Sequence, residues 1–182
     1  TRIAQTLAGP VPGGAAIWYQ KHMSLHILPG DDLSWSDDMV HCFLIRQPDA
    51  MVASYTQKRE QPVAADFGFE RLWQLFDHVS QKLGKAPPVL DSKDVLSDPK
   101  GTMSTLCHTI GIAFDPAMLS WPPGRRDSDG IWAPVWYKSV EQSTGFLPYK
   151  PNAVSLSPAL QAIADECRPY YDQIAAHRLI QD

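Results

Sequence analysis

The clearest pattern in the chain is a nearly unbroken apolar run, Val40 to Ile45 (Val-His-Cys-Phe-Leu-Ile). It shows almost no alternation, as a parallel strand covered on both faces would. Ala15 to Gln20 reads as a shorter buried strand and Pro88 to Asp91 as another. Helical spacing dominates elsewhere. Met51, Val52 and Tyr55 recur after Pro48, and Phe69, Leu72, Trp73, Phe76, Val79 and Leu83 make an amphipathic helix closed by Gly84. Met103, Leu106, Cys107 and Ile110 form the inward stripe of another, ending at Gly111.

Three helix starts share one device. Asp98-Pro99, Asp115-Pro116 and Ser157-Pro158 each place a capping side chain before a proline at the first helical position. The last helix should run towards Leu179, with a kink or break at Pro169. A short helix before Gly9-Pro10, a loop from Pro10 to Gly14 and a surface connection from Gly30 to Asp38 complete the reading.

Strands followed at once by helices predict an α/β fold with a parallel sheet, as a single domain over residues 1–182. Three visible strands are few for such a sheet, so part of it is either missed here or lies outside the chain. Composition narrows the class. Apolar residues at 44% and charged residues at 20% fit a globular protein with a core. The net charge of −4 argues against a nucleic-acid partner. No stretch approaches the roughly 20 apolar residues that cross a bilayer, so no membrane partner is expected. Cys42, Cys107 and Cys167 sit in apolar runs without metal-ligand spacing. They read as reduced core thiols, with no metal and a cytoplasmic location.

The candidate chemistry lies at strand ends, where open α/β sheets bind ligands. Arg46 follows the apolar run directly and would present a fork of donors beside a helix N-terminus, a good anion site. Ser54 lies about 10 Å further up that helix. The alternative is that Arg46 pairs with Asp49 while Ser54 faces solvent. His22 ends the earlier predicted strand, and if the two strands are neighbours it shares a crevice with Arg46. A histidine titrating near neutrality suits a general base. His26 competes for that role, and His41 reads as a buried or bridging strand residue.

Phe43-Leu-Ile-Arg46-Gln-Pro-Asp-Ala-Met-Val-Ala-Ser54-Tyr55 resembles the sulfotransferase family, in which an arginine at a strand end and a later serine hold the 3′-phosphate of 3′-phosphoadenosine 5′-phosphosulfate (PAPS). The resemblance implies that role for Arg46 and Ser54. Lys21-His22-Met23-Ser24-Leu25-His26-Ile27-Leu28-Pro29 resembles the family's segment with the catalytic histidine, which falls on His22. Arg125-Arg126-Asp-Ser-Asp-Gly130-Ile-Trp132 resembles the late loop that folds over the nucleotide, and implies cofactor contacts for Arg125, Arg126, Gly130 and Trp132. Asp127 stands where the family has a glycine, which puts a close backbone approach in doubt; the other reading is a solvated loop whose Arg and Asp residues neutralise each other. Asp91-Ser-Lys-Asp94-Val-Leu, Asp98-Pro99, Leu106-Cys107, Ala117-Met-Leu-Ser-Trp121 and Ser143-Thr-Gly-Phe146 resemble a bacterial branch of the family.

The resemblance implies a three-layer sheet of the P-loop type. The family's phosphate loop is not found: Pro12-Gly13-Gly14 precedes a predicted strand instead of joining strand to helix. The chain begins at Thr1, and an N-terminally incomplete protein lacking the first strand and phosphate loop is expected. An exposed sheet edge would then be compensated by homodimerisation or strand rearrangement. The function expected of the full-length protein is sulfuryl transfer from PAPS to a small hydroxyl or amine acceptor, with this fragment lacking the groups for the 5′-phosphosulfate. The rivals are a non-catalytic nucleotide- or partner-binding module and a kinase-like phosphotransferase.

Overall fold

A computed structural model describes residues 2–57, 61–126, 129–131, 133–150 and 155–180. Its regular elements are α1 (Arg2–Leu7), β1 (Phe43–Ile45), α2 (Pro48–Thr56), α3 (Phe69–Leu83), β2 (Val89–Asp91), α4 (Ser92–Ser97), α5 (Pro99–Ile110), α6 (Ala133–Trp136), α7 (Lys138–Glu141) and α8 (Pro158–Ala175). Short 3-10 turns punctuate the loops, including Ser24–His26 and Ser34–Ser36. Among the described residues, no helix is long and apolar enough to cross a membrane.

The predicted helix starts form as their caps dictate. Asp98 accepts from the Gly101 N–H at 2.9 Å, Asp115 from Ala117 at 2.8 Å and Ser157 from Leu160 at 3.4 Å, each with proline next in line. Gly84 closes α3 with φ 65° and Gly111 closes α5 with φ 77°. Both lie in the left-handed region, where a Cβ is strained.

β1 and β2 pair in parallel, with Phe43 opposite Val89 and Ile45 opposite Asp91. The chain crosses between them through α2 and α3. Leu179 adds a further bond to β2, its N–H donating to the Val89 carbonyl at 2.8 Å. Phe43, Ile45 and Val89 share the face that packs against Phe76 and Val79 of α3 and Ile174 of α8. The rings of Phe43 and Phe76 meet edge to face, centroids 5.4 Å apart. Alternation along the strand turns Leu44 the other way, and it is 62% exposed.

Several expectations need correction. Ala15–Gln20 forms no strand, and Ile17 and Tyr19 lie open to solvent. The run from Val40 is strand only from Phe43; Val40 is 70% exposed and His41 lies in coil, half-buried, bonded to the Ser36 carbonyl at 2.9 Å. β1 is therefore covered on one face rather than two. Among the described residues it pairs with no strand besides β2. α8 continues unbroken through Pro169, where a kink or a break was expected, and stops at Ala175, short of the expected run towards Leu179. Cys42 is exposed, whereas Cys107 and Cys167 are buried, and burial pushes the Cys167 thiol up to about 11. α4 has no counterpart in the sequence reading.

Candidate functional site

The junction from β1 to α2 is short. Ile45 is buried, Arg46 and Gln47 are exposed, and Pro48 is buried as the first residue of α2. Gln47 has extended backbone and no side-chain cap bond; its side chain reaches the phenol oxygen of Tyr171 instead. Tyr171 donates to Asp91 Oδ2 at 2.5 Å, and Asp91 Oδ1 accepts from the Lys93 N–H at 2.8 Å to cap α4. One buried carboxylate thus ties the end of β2 to α4 and α8, and the Tyr171 phenol carries that tie to the residue beside Arg46.

Asp49, in the first turn of α2, faces α8. Its Oδ2 accepts from Arg168 Nη2 at 2.6 Å and its Oδ1 from Gln161 Nε2 at 2.9 Å. Burial alone would raise the Asp49 carboxyl, but the hydrogen bonds from Arg168 and Gln161 and the charge of Arg168 outweigh it, and the net direction is down. The predicted alternative pairing of Arg46 with Asp49 is therefore absent. Among the described residues Arg46 makes no ion pair. Ser54 is half-buried, and no hydrogen bond of its hydroxyl is found among the described residues, whereas Thr56 Oγ1 returns to the Val52 carbonyl at 3.0 Å. At roughly 100° per residue Ser54 stands about 140° round α2 from Asp49, away from the α8 contact.

His22 lies in coil, so the neighbouring strands that would have set it facing Arg46 do not exist as such. Other contacts hold it. Gln20 donates from Nε2 to the Leu7 carbonyl at 2.9 Å, and its Oε1 lies 3.2 Å from His22 Nε2. The Trp35 ring packs edge-on, centroids 5.4 Å apart. His22 is exposed, and the desolvation that its neighbours impose on the ring lowers the imidazole from its ordinary value. The segment that follows is pinned to α3. Ser24 Oγ donates to the Gly68 carbonyl at 3.1 Å, and Arg71 donates to the carbonyls of Ile27 and Leu28, both at 2.7 Å. His26 is exposed in the Ser24–His26 turn.

The late loop is clipped at its base. Ser120 bridges Gly145, Trp121 Nε1 donates to Ser143 Oγ at 3.1 Å, and the Trp121 ring meets Phe146 edge to face at 5.3 Å. The stretches 117–121 and 143–146 are thereby brought together. Arg125 and Arg126 are exposed. A mutual turn holds the loop, with the Arg126 N–H donating to Asp129 Oδ2 at 2.9 Å and the Asp129 N–H to the Arg126 carbonyl at 3.0 Å. Gly130 accepts from the Ala133 N–H at 3.0 Å. Among the described residues neither arginine pairs with a carboxylate. Trp132 and Asp127 lie outside the described residues.

A surface hollow of about 520 Å³ is lined by Asp31, Asp32, Asp37, Arg71, His78 and Lys82 among others. Its cations are engaged: Arg71 with backbone carbonyls and Lys82 with Asp37. None of the predicted site residues lines it.

A parallel β-α-β unit with an exposed arginine at the strand exit, which makes no ion pair among the described residues, and a hydroxyl further along the next helix define a mixed α/β protein. A family profile described as a sulfotransferase domain matches residues 7–177, and the chain belongs to that family. It is 31% identical over 159 residues to the branched-chain-amino-acid aminotransferase-like protein 1 of Arabidopsis thaliana, covering 87% of this chain and 28% of that protein. It is 28% identical over 166 residues to the corresponding protein 2 of the same plant, covering 91% of this chain and 29% of that protein. The chain thus spans under a third of the curated relatives it matches. No solved structure matches it.

Proposed function

We propose that this chain is the part of a PAPS-dependent sulfotransferase that grips the 3′-phosphate of the nucleotide. The observation that carries the reading is that Arg46, at the exit of β1, makes no ion pair among the described residues, with Asp49 turned away to Arg168. A guanidinium and a hydroxyl are the donor set a phosphate needs. Arg46 would supply charge-assisted bonds and Ser54 a neutral one, and the first turn of α2 would add the favourable end of its dipole. Arg125 and Arg126 would add charge from the clipped late loop. PAPS, when bound, supplies the sulfuryl group. His22, in neutral form, would take the proton of a small hydroxyl or amine acceptor.

The relatives' aminotransferase-like names describe whole proteins of which the matched stretch is under a third. The sulfotransferase profile covers nearly all of this chain, so the sulfotransferase reading is preferred for the stretch they share.

Calorimetry with adenosine 3′,5′-bisphosphate tests the reading. Wild type should bind it more tightly than ATP. Arg46→Met should weaken binding by about 10- to 100-fold, the range for a hydrogen bond to a charged group. Ser54→Ala should weaken it less. Equal affinity for ATP, or no effect of either substitution, would overturn the assignment.

A further inference from the structure

We propose that Arg168 is a positioning residue for the anion site: by holding Asp49 on α8, it keeps that carboxylate off Arg46 and leaves the Arg46 guanidinium free for a phosphate. The inference rests on the reading of Arg46 as a phosphate ligand and extends it to a residue 119 positions from Asp49 in sequence.

Asp49 is the nearest carboxylate to Arg46 along the chain, at the start of the helix that Arg46 precedes. A carboxylate favours that position because it faces the positive end of the helix dipole. The same carboxylate is a competitor. An anion entering the site must displace any carboxylate already on the guanidinium, and its affinity falls by the strength of that internal pair. The fold removes the competition by engaging both oxygens of Asp49. Arg168 binds one at 2.6 Å and Gln161 the other at 2.9 Å. Asp165 steadies the two donors from the next turn of α8, 3.0 Å from Gln161 Nε2 and 3.8 Å from Arg168 Nη2. The Asp49–Arg168 pair sums to zero charge, so the charge of Arg46 is left whole for a ligand. Ser54, on the far side of α2 from Asp49, is untouched by this arrangement.

A brace that merely joins α2 to α8 and a guard that protects Arg46 predict different results. Arg168→Met should raise the Kd for adenosine 3′,5′-bisphosphate about threefold or more, as expected for coupled neighbours. Asp49→Asn should bind at least as tightly as wild type, and Asp49→Asn combined with Arg168→Met should return to within about twofold of wild type. Arg168→Lys, which keeps the charge, guards against a folding failure of the methionine variant and should retain most of the affinity. Weakened binding in Asp49→Asn, or a double variant no better than Arg168→Met, would overturn the proposal in favour of a brace.

A ligand-free measurement separates this outcome from failure of the nucleotide reading. Followed by NMR, the Asp49 carboxyl should stay below its ordinary value in Arg168→Met because Arg46 takes over, and rise when Arg46→Met is added. If Arg46→Met changes nothing in that background, Arg46 does not reach Asp49 and the guard is refuted. If wild type binds no bisphosphate while the titrations behave as stated, the nucleotide reading falls and the guarding contact stands.

Discussion

The phenol of Tyr171 donates a 2.5 Å hydrogen bond to the buried carboxylate of Asp91, joining the C-terminal part of α8 to the end of β2. Both residues are nearly out of solvent, at 7% and 3% exposure. A carboxylate buried so deeply is stable only while its oxygens are satisfied. Here one serves Tyr171 and the other caps α4. Tyr171→Phe leaves one oxygen unpartnered and should cost roughly 1–3 kcal/mol. Asp91→Asn keeps the shape, but its single amide oxygen can accept from only one of the two donors, and its NH2 is set against the other. It should also destabilise. Chemical denaturation with a shared slope checks both, and a Tyr171→Phe variant as stable as wild type would show that the contact is incidental.

The same contact sets an alkaline limit. Burial first, and the hydrogen bond to Asp91 second, hold the Tyr171 phenol above its ordinary value of 10.0. Its folded pKa is raised above its unfolded one. The contribution is therefore fully present below the unfolded value and is lost as pH rises through the folded value, because the unfolded chain ionises first. Wild type should lose stability above pH 10.0 more steeply than Tyr171→Phe, which has no phenol to titrate. Urea midpoints on either side of that pH provide the measurement, and parallel curves for the two proteins would refute the assignment.

What the sequence disclosed follows from how local each signal is. Asp98, Asp115 and Ser157 bind N–H groups within three residues of themselves, so their caps are legible without the rest of the molecule. Arg46 and Ser54 lie where the strand-to-helix pattern puts them, because that junction too is local. A strand is different, since it needs a neighbour. Ala15–Gln20 has strand-like composition, yet nothing among the described residues pairs with it, and Tyr19 is 78% exposed. Pro169 removes one N–H from α8, but buried Cys167, Tyr171 and Ile174 on either side hold the helix together. The partner of Asp49 was hidden for the same reason in reverse. Arg168 is too far along the chain for spacing to suggest it, whereas Arg46, the nearest cation in sequence, is the partner that the alternative reading gives Asp49.

Gly68 links the His22 segment to α3, and its substitution should be felt in both places. Its φ of +64° lies in the left-handed region, and a Cβ would stand 2.7 Å from Ser24 Oγ and 2.8 Å from Leu25 Cγ. Gly68→Ala should cost roughly 1–2 kcal/mol for the backbone alone. It should also push away the Ser24–His26 turn and change the NMR shifts of the His22 ring. Gly84→Ala is the matched control: its φ is +65°, with nothing within 4 Å of the added atom. It should show the backbone cost and leave His22 unmoved. If both variants disturb His22 equally, or neither does, the link through Gly68 is not what positions that segment.

The acid–base assignment makes its own prediction. Desolvation by its neighbours holds the exposed His22 imidazole below its ordinary value of 6.5. A general base works only when unprotonated, so turnover in a protein that uses PAPS should rise with pH through a point below 6.5 and level off above it. Trp35→Ala removes the ring that covers one side of His22 and should move that rise upward, because less desolvation means less penalty on the charged form. His22→Gln should remove the rise together with most of the turnover, about 100-fold or more for loss of a positioned base. If the rise survives His22→Gln and disappears in His26→Gln, the proton goes to His26 and the role assigned to His22 is wrong.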